Sequence, residues 1–365
     1  MTAIASPPPA IDLPTHQPLR AAAPLGDNAW DAIRKTMMLR HCKWDPHVGD
    51  QATLSPFPLL LASSAWQSLA ELAESAAAEL IAAERELVDR PDLHRRLGIR
   101  REVSRALTVQ GMVPRILRFD FHSTPAGWRI SEVNSDVPGG YTESSDLPRL
   151  MAGHYRQARA AGDVAAAWTD AIAAAADGGD TVAMLHAPGF LEDLQVVAYL
   201  ADHLAERGLD PVLAHPRQVD FHDGRASLQL GRSRVPLGAI VRFFQAEWLA
   251  SRRVTRQWRA FFGPCRTPIV NSPSAILTES KRFPLIWQAL WTKTATWRAI
   301  LPETRGPWDV PWDGERWLAK TAYCNTGDSV CIREMMRPGQ WRWNLVQAHL
   351  FPRQWIAQRR FATTA

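Results

Sequence analysis

At 365 residues the chain exceeds one domain of about 150 residues. Two domains, or one with an insertion, are expected, and such a chain can bury a sizeable core without disulfides or a structural metal. Hydrophobic residues at 46% and charged residues at 22% exclude disorder as the main state. A formal charge of +5, with Arg alternating with Asp and Glu and no block of about five like charges, excludes a basic nucleic-acid-binding tail.

The opening stretch, residues 1–26, is rich in Pro and Ala and reads as a flexible tail. It has neither an early positive charge nor an apolar core before Arg20, so it does not read as a signal peptide, and the cytoplasm is the default compartment. No window of about 18 apolar residues is long enough for a membrane span. Residues 27–112 read as mainly helical. Asp27 or Asn28 can cap a first helix, residues 63–88 form a long amphipathic Ala/Leu/Glu stretch, and Pro91 is expected to end it. The four cysteines, Cys42, Cys265, Cys324 and Cys331, form no CxxC pair and have no His partner at finger spacing, which argues against a zinc site.

Residues 113–150 change texture. ILRFDF (116–121) and WRISEVN (128–134) alternate around HSTPAG and predict a β-hairpin. With the turn centred on 123–127, His122 lies opposite Trp128, and Arg118, Asp120, Glu132 and Asn134 share one face. That polar face is either a solvated one or a ligand-binding one. Residues 151–266 read as an α/β unit: an Ala-rich helix over about 148–176, a strand at 181–187, a helix at 191–208, a strand at PVLAHP, a strand at 238–244 and a Trp/Arg-rich helix to about 262. This βαβ grammar predicts a mostly parallel sheet, without the GxGxxG turn that a dinucleotide claim would need. Residues 267–365 open with a strand at 267–271 and a helix containing Glu279, Lys281 and Trp287. They continue with a strand ending at Lys320 and another over 355–361.

Asp120, Glu132 and Asn134 are hard oxygen donors of the kind that suit Mg²⁺, which completes its octahedron with water and phosphates. Arg118 beside them would pair with bare carboxylates; with an anionic phosphate present it becomes a second clamp on transferring charge. Only five of the 42 basic residues are lysines, so Lys281 and Lys320 are informative positions. Lys320 precedes the small polar loop Cys324–Ser329, which is either an ordinary solvated turn or a loop holding phosphates by charge and backbone N–H groups.

Taken in order, RFDF…ISEVNSD-PGG, IVRFFQAEWL, NSPSAILTESKRFPLIWQAL and WLAKTAYCNTGDSVCIRE resemble the glutathionylspermidine synthase-like family of ATP-grasp carboxylate–amine ligases, over about residues 113–361. The resemblance implies an α/β (α+β) ATP-grasp fold with a Rossmann-like pre-ATP-grasp domain. In it residues 113–150 hold the metal-binding hairpin, 151–266 the pre-ATP-grasp domain and 267–365 the nucleotide-binding segment. It implies Asp120, Glu132 and Asn134 as Mg²⁺ ligands, and Arg118 as the catalytic residue steadying the phosphoryl group and the tetrahedral intermediate. Lys281 and Lys320 would be the ATP-phosphate lysines, with Asn325 and Gly327 in the flap over the phosphates. Ile356, Ala357 and Gln358 would form the adenine hinge. The segment Ser135–Gly140, with Ser135, Asp136, Gly139 and Gly140, would line the acyl-substrate pocket.

The implied activity is amide formation between a peptide-like carboxylate and an amine through an acyl phosphate, with ATP and Mg²⁺ as cofactors. Both partners are small molecules, and neither nucleic acid nor a membrane is implied. Family synthetases continue past the hinge into a strand pair that closes the nucleotide pocket. The sequence stops at Ala365, so a chain lacking that closure is expected. The alternative function is therefore a degenerate ATP-grasp protein that binds nucleotide or a partner without turnover. Cys42 with His41 or His47 is too sparse to form an amidase module, and no hydrolysis of the product is expected. Neither substrate identity nor oligomeric state is written in the sequence.

Overall fold

The computed structural model describes residues 19–48, 51–108, 111, 113–312, 316–323 and 329–364. The chain divides into two units, each assembled from two stretches: Met1–Glu71 with Gly139–Phe244, and Leu72–Pro138 with Gln245–Ala365.

In the first unit, the apolar run Thr181–His186 is buried almost end to end, as a strand covered on both faces must be. It pairs in parallel with Asp210–Ala214 on one side and Ala239–Phe243 on the other, and helix Leu191–Ala205 makes the crossover between the first two. The expected parallel grammar is therefore realised. Next to it, Val219–His222, Arg225–Leu230 and Ser233–Pro236 form an antiparallel meander, an element absent from the sequence reading. Gly238 brings that meander back to the parallel strands at a point where a Cβ would lie 1.8 Å from the Gly179 carbonyl oxygen, so no larger residue fits without moving backbone. The Ala-rich helix expected over 148–176 is two helices, Asp146–Ala152 and Val164–Ala175. Gly153 and Gly162 lie in the break, and Asp163 restarts the helix by accepting the Ala166 N–H on its side chain. Helix Asp27–Arg40 starts at Asp27 itself, with Gly26 at the capping position and no side-chain cap.

Helix Ser63–Val88 matches its expected span. In the second unit its inner stripe is Ala76, Leu80, Ala83 and Leu87, all fully buried and recurring on one face. The long helix ends at Val88, just short of Pro91 as expected, and Pro91 then opens a short helix, Pro91–His94, because proline costs nothing at the first helical position. Three glutamates of the long helix hold later chain. Glu79 accepts the Thr296 and Trp297 N–H groups at the start of helix Ala295–Ile300. Glu86 accepts the Trp291 and Thr292 N–H groups, and Glu84 pairs with Arg115 at 2.9 Å.

Two further expected helices, whose residues fall in this unit, are broken. The Trp/Arg-rich stretch gives Ala246–Leu249 and Trp258–Phe262. The stretch with Glu279, Lys281 and Trp287 gives the 3₁₀ turn Pro273–Ala275, helix Ile276–Glu279 and the 3₁₀ turn Phe283–Ala289. Lys281 falls between the last two because its N–H donates to the Ala322 carbonyl at 2.8 Å, and Ser280 Oγ donates to the Leu97 carbonyl. Both are long-range bonds that compete with the helix.

An antiparallel sheet runs Thr304–Arg305, Trp355–Arg359, Trp317–Thr321. Cross-strand pairing puts Thr304, Gln358, Leu318, Ile356 and Lys320 on one face. The opposite face packs Ala319 and Trp355 against Trp341 and Ala348 of helix Pro338–Leu350.

Candidate functional site

The hairpin forms from Arg118–Thr124 and Gly127–Asn134. Its register departs from the expected one: His122 pairs with Arg129, and Ser123 pairs with Trp128. Phe119 pairs with Val133 and Phe121 with Ile130, so Asp120 alone stands opposite both Ser131 and Glu132. Such a bulge re-aims side chains. Arg118, Asp120, Glu132 and Asn134 keep a common face, whereas beyond the bulge Ile130 turns to the apolar side with Phe121 and is fully buried. The shared even-numbered face therefore ends at Glu132.

The polar set is tied together. Arg118 Nε donates to Asp120 Oδ1 at 2.9 Å, and Asn134 Nδ2 donates to Asp120 Oδ2 at 3.5 Å. Lys281 Nζ lies 3.5 Å and Lys320 Nζ 3.8 Å from the same Glu132 oxygen, and Lys320 Nζ also donates to the Ser131 carbonyl at 3.1 Å. Partial burial works against the charge of Arg118, but Asp120, Glu132 and Glu279 outweigh it and hold the guanidinium more firmly protonated than usual. Glu132, Lys281, Lys320 and Gln358 line one small cavity of about 30 Å³, with Trp297 and Phe283 in its apolar wall. The Gln358 side chain is buried there and donates to Thr304 Oγ1 at 3.4 Å.

Ser135 and Asp136 are both buried and internally bonded. Ser135 Oγ donates to the Ala275 carbonyl, and Asp136 Oδ2 accepts the Ala246 N–H at 2.8 Å. Gly139 and Gly140 belong to the other unit, where Gly140 adopts a left-handed φ of 94° before helix Tyr141–Ser144. Asn325 and Gly327 of the expected flap lie outside the described residues.

Two residues missed in the sequence organise the site. Glu279 Oε2 accepts the N–H groups of Ser135 and Asp136 at 2.7 and 3.0 Å, immediately after Asn134. Asn271 accepts the Ile116 N–H on Oδ1. Its Nδ2 donates to the carbonyls of Ile116 and Asp136, each at 2.9 Å, pinning the chain on entry to and exit from the hairpin. Their partners lie more than a hundred residues away in sequence, so no local spacing could reveal them.

Burial pushes Glu279 up to about 7, with Asp136 adding to it and Lys281 opposing it. Glu247 is pushed to about 7 as well, by burial and then by Asp136 and Glu279. A glutamate in the unfolded chain loses its proton near 4.5. Between those values the folded chain holds more protons, so the stability these groups confer is full below about 4.5 and is lost as pH rises through about 7. The thermal midpoint is expected to fall between pH 5 and 8, and the Glu247→Gln/Glu279→Gln variant to flatten that slope. A slope unchanged in the variant contradicts the assignment.

The donor set is compatible with Mg²⁺. Asp120, Glu132 and the Asn134 carboxamide offer hard oxygens, and among the described residues no three His, Cys, Asp or Glu side chains cluster as a self-sufficient metal site. Two carboxylates and an amide suit an ion that completes its shell with phosphate and water. In the first unit, Cys42 Sγ sits 3.7 Å from Asp202 Oδ2, and burial followed by that carboxylate pushes the thiol up to about 11, which keeps it from being a ready nucleophile.

Residues 61–358 match the family described as Glutathionylspermidine synthase preATP-grasp. No curated protein matches the chain in sequence. Among solved structures, a glutathione synthetase-like effector from Globodera pallida, determined in its apo form, aligns with a TM-score of 0.53 at 15% identity. The alignment covers 85% of this chain and 74% of that one. The architecture is thus a mixed α/β one with a parallel sheet, of the glutathione synthetase-like ATP-grasp type.

Proposed function

The chain belongs to the glutathionylspermidine synthase preATP-grasp family, and on that basis we propose that it is an ATP- and Mg²⁺-dependent ligase joining a peptide-like carboxylate to an amine. The observation that carries the reading is the convergence of Lys281 and Lys320 on Glu132, next to the Arg118–Asp120 pair, on one face of one hairpin. Each carboxylate there is neutralised by a cation, and an incoming polyphosphate can take those cations over.

An amine cannot displace oxide from a carboxylate. Transfer of the ATP γ-phosphoryl group to the carboxylate gives an acyl phosphate whose leaving group is phosphate, and the amine then forms the amide with release of ADP and phosphate. Asp120, Glu132 and the Asn134 carboxamide oxygen would hold Mg²⁺, which when bound neutralises charge on the phosphates. Lys281 and Lys320 bind the phosphates as point charges, and Arg118 steadies the transferred group and the oxyanion of the tetrahedral intermediate. The Trp355–Arg359 strand is the middle strand of its sheet, with Ala357 and Gln358 paired on both sides, so it is the Gln358 side chain, facing the cavity, that would meet the nucleotide. Ser135 and Asp136, fixed by Glu279, set the backbone on the acyl side.

The test is a screen of carboxylate–amine pairs scored by ADP release. A productive pair is expected to lose turnover in Arg118→Ala and in Asp120→Ala, about 10²-fold or more for each. Wild-type turnover in either variant rules out the site assignment. Nucleotide binding by calorimetry with no productive pair rules out the ligase reading.

A further inference from the structure

The first unit contains a second concavity, of about 630 Å³, in the range that encloses small organic ligands (about 300–1,000 Å³). None of its lining residues takes part in the site above. One wall is strand Leu59–Leu61 and the start of helix Ser63–Val88; the other is Pro148 and residues 156–161. Leu59, Leu60, Leu61 and Trp66 give the lining its large apolar side chains. Leu59 and Trp66 remain 59% and 48% exposed, so large hydrophobic side chains are left uncovered together.

The charge in it has a single sign. Arg156 and Arg159 both line the concavity and both are exposed. Neither forms an ion pair or a hydrogen bond with a described residue, and no acidic side chain lies among the lining residues. Other arginines, such as Arg90, Arg207 and Arg234, each meet a carboxylate. Two unpaired guanidiniums lining the same concavity as large apolar side chains complement an anion that carries an apolar body, because the guanidinium fork binds planar oxyanions bidentately while the apolar lining removes hydrocarbon from water.

We propose that this concavity is a binding site for a small organic anion, its carboxylate- or sulfonate-type head paired with Arg156 and Arg159 and its apolar body laid on Leu59, Leu61 and Trp66. A concavity favours a discrete molecule over a bilayer, which needs a protruding apolar face. The mostly apolar lining likewise disfavours nucleic acid. The inference is independent of the ligase reading, since it uses none of that site's residues.

The experiment uses the full chain and two fluorescent probes that share an aromatic body: anionic 8-anilinonaphthalene-1-sulfonate and neutral N-phenyl-1-naphthylamine. The anionic probe is expected to bind saturably at one site and at least about tenfold more tightly than the neutral one, the value of one charge-assisted contact. In Arg156→Ala/Arg159→Ala that preference is expected to vanish with the melting temperature unchanged, which separates site binding from the probe's affinity for loosened states. Trp66→Ala is expected to weaken both probes. Equal binding of the two probes, an undiminished preference in the double arginine variant, or no saturable binding overturns the proposal. Co-sedimentation with phosphatidylserine vesicles in the absence of saturable probe binding also overturns it and identifies a membrane contact instead.

Discussion

Replacing Lys320 with methionine is expected to lower ATP-dependent ADP release about 10²–10³-fold, the usual effect of removing one preorganised charge from a site of developing negative charge. Lys320 is buried, its Nζ sits 3.8 Å from Glu132 and donates to the Ser131 carbonyl at the bulge, and its strand neighbour across the sheet is Ile356. Methionine keeps the stem volume and removes the charge. Lys281 still lies 3.5 Å from Glu132, so the carboxylate keeps a partner and the fold is expected to survive. The Lys281→Met variant should behave alike, and the double variant should lose less than the product of the two, because both charges act on one polyphosphate. Steady-state ADP release paired with a melting curve reads both effects. Full turnover in folded Lys320→Met places the phosphates elsewhere.

Trp297→Ala is expected to destabilise the chain by about 3–5 kcal/mol, the range for truncating a large buried aromatic. The ring is 2% exposed, packs against Phe119, Phe283 and Trp287 with centroids 5.8–6.2 Å away, and donates Nε1–H to the Ala76 carbonyl at 2.8 Å. It therefore ties the long helix to the hairpin's apolar face and to the wall of the cavity. Trp297→Phe should cost much less, since it keeps most of the ring contact and loses one hydrogen bond of about 1 kcal/mol. Urea unfolding of the two variants separates the packing part from the polar part. Equal midpoints for alanine and phenylalanine would show that packing is not what the ring contributes.

Much of the site could be read from the sequence because hairpin chemistry is local. Arg118, Asp120, Glu132 and Asn134 lie at alternate positions of two adjacent strands, and period-two alternation is written in immediate neighbours. The bulge was not legible: it depends on where Phe119, Phe121 and Ile130 find apolar cover, and Phe119 finds Trp297. The broken helices were missed for a similar reason. Residues 276–289 have helical spacing, but bonds from Ser280 to Leu97 and from Lys281 to Ala322 outcompete continuation of the helix.

The sequence by itself determined the long helix, the parallel strands, the polar hairpin stripe and two scarce lysines at meaningful places, all encoded within a few residues of one another. Only the tertiary structure decided that Lys281 and Lys320 meet at Glu132, and that Glu279 and Asn271 hold the hairpin in place. Those contacts exist because burying the second unit's core closes loops of well over a hundred residues, after which each buried N–H and carboxylate must find a partner among whatever groups have been brought alongside.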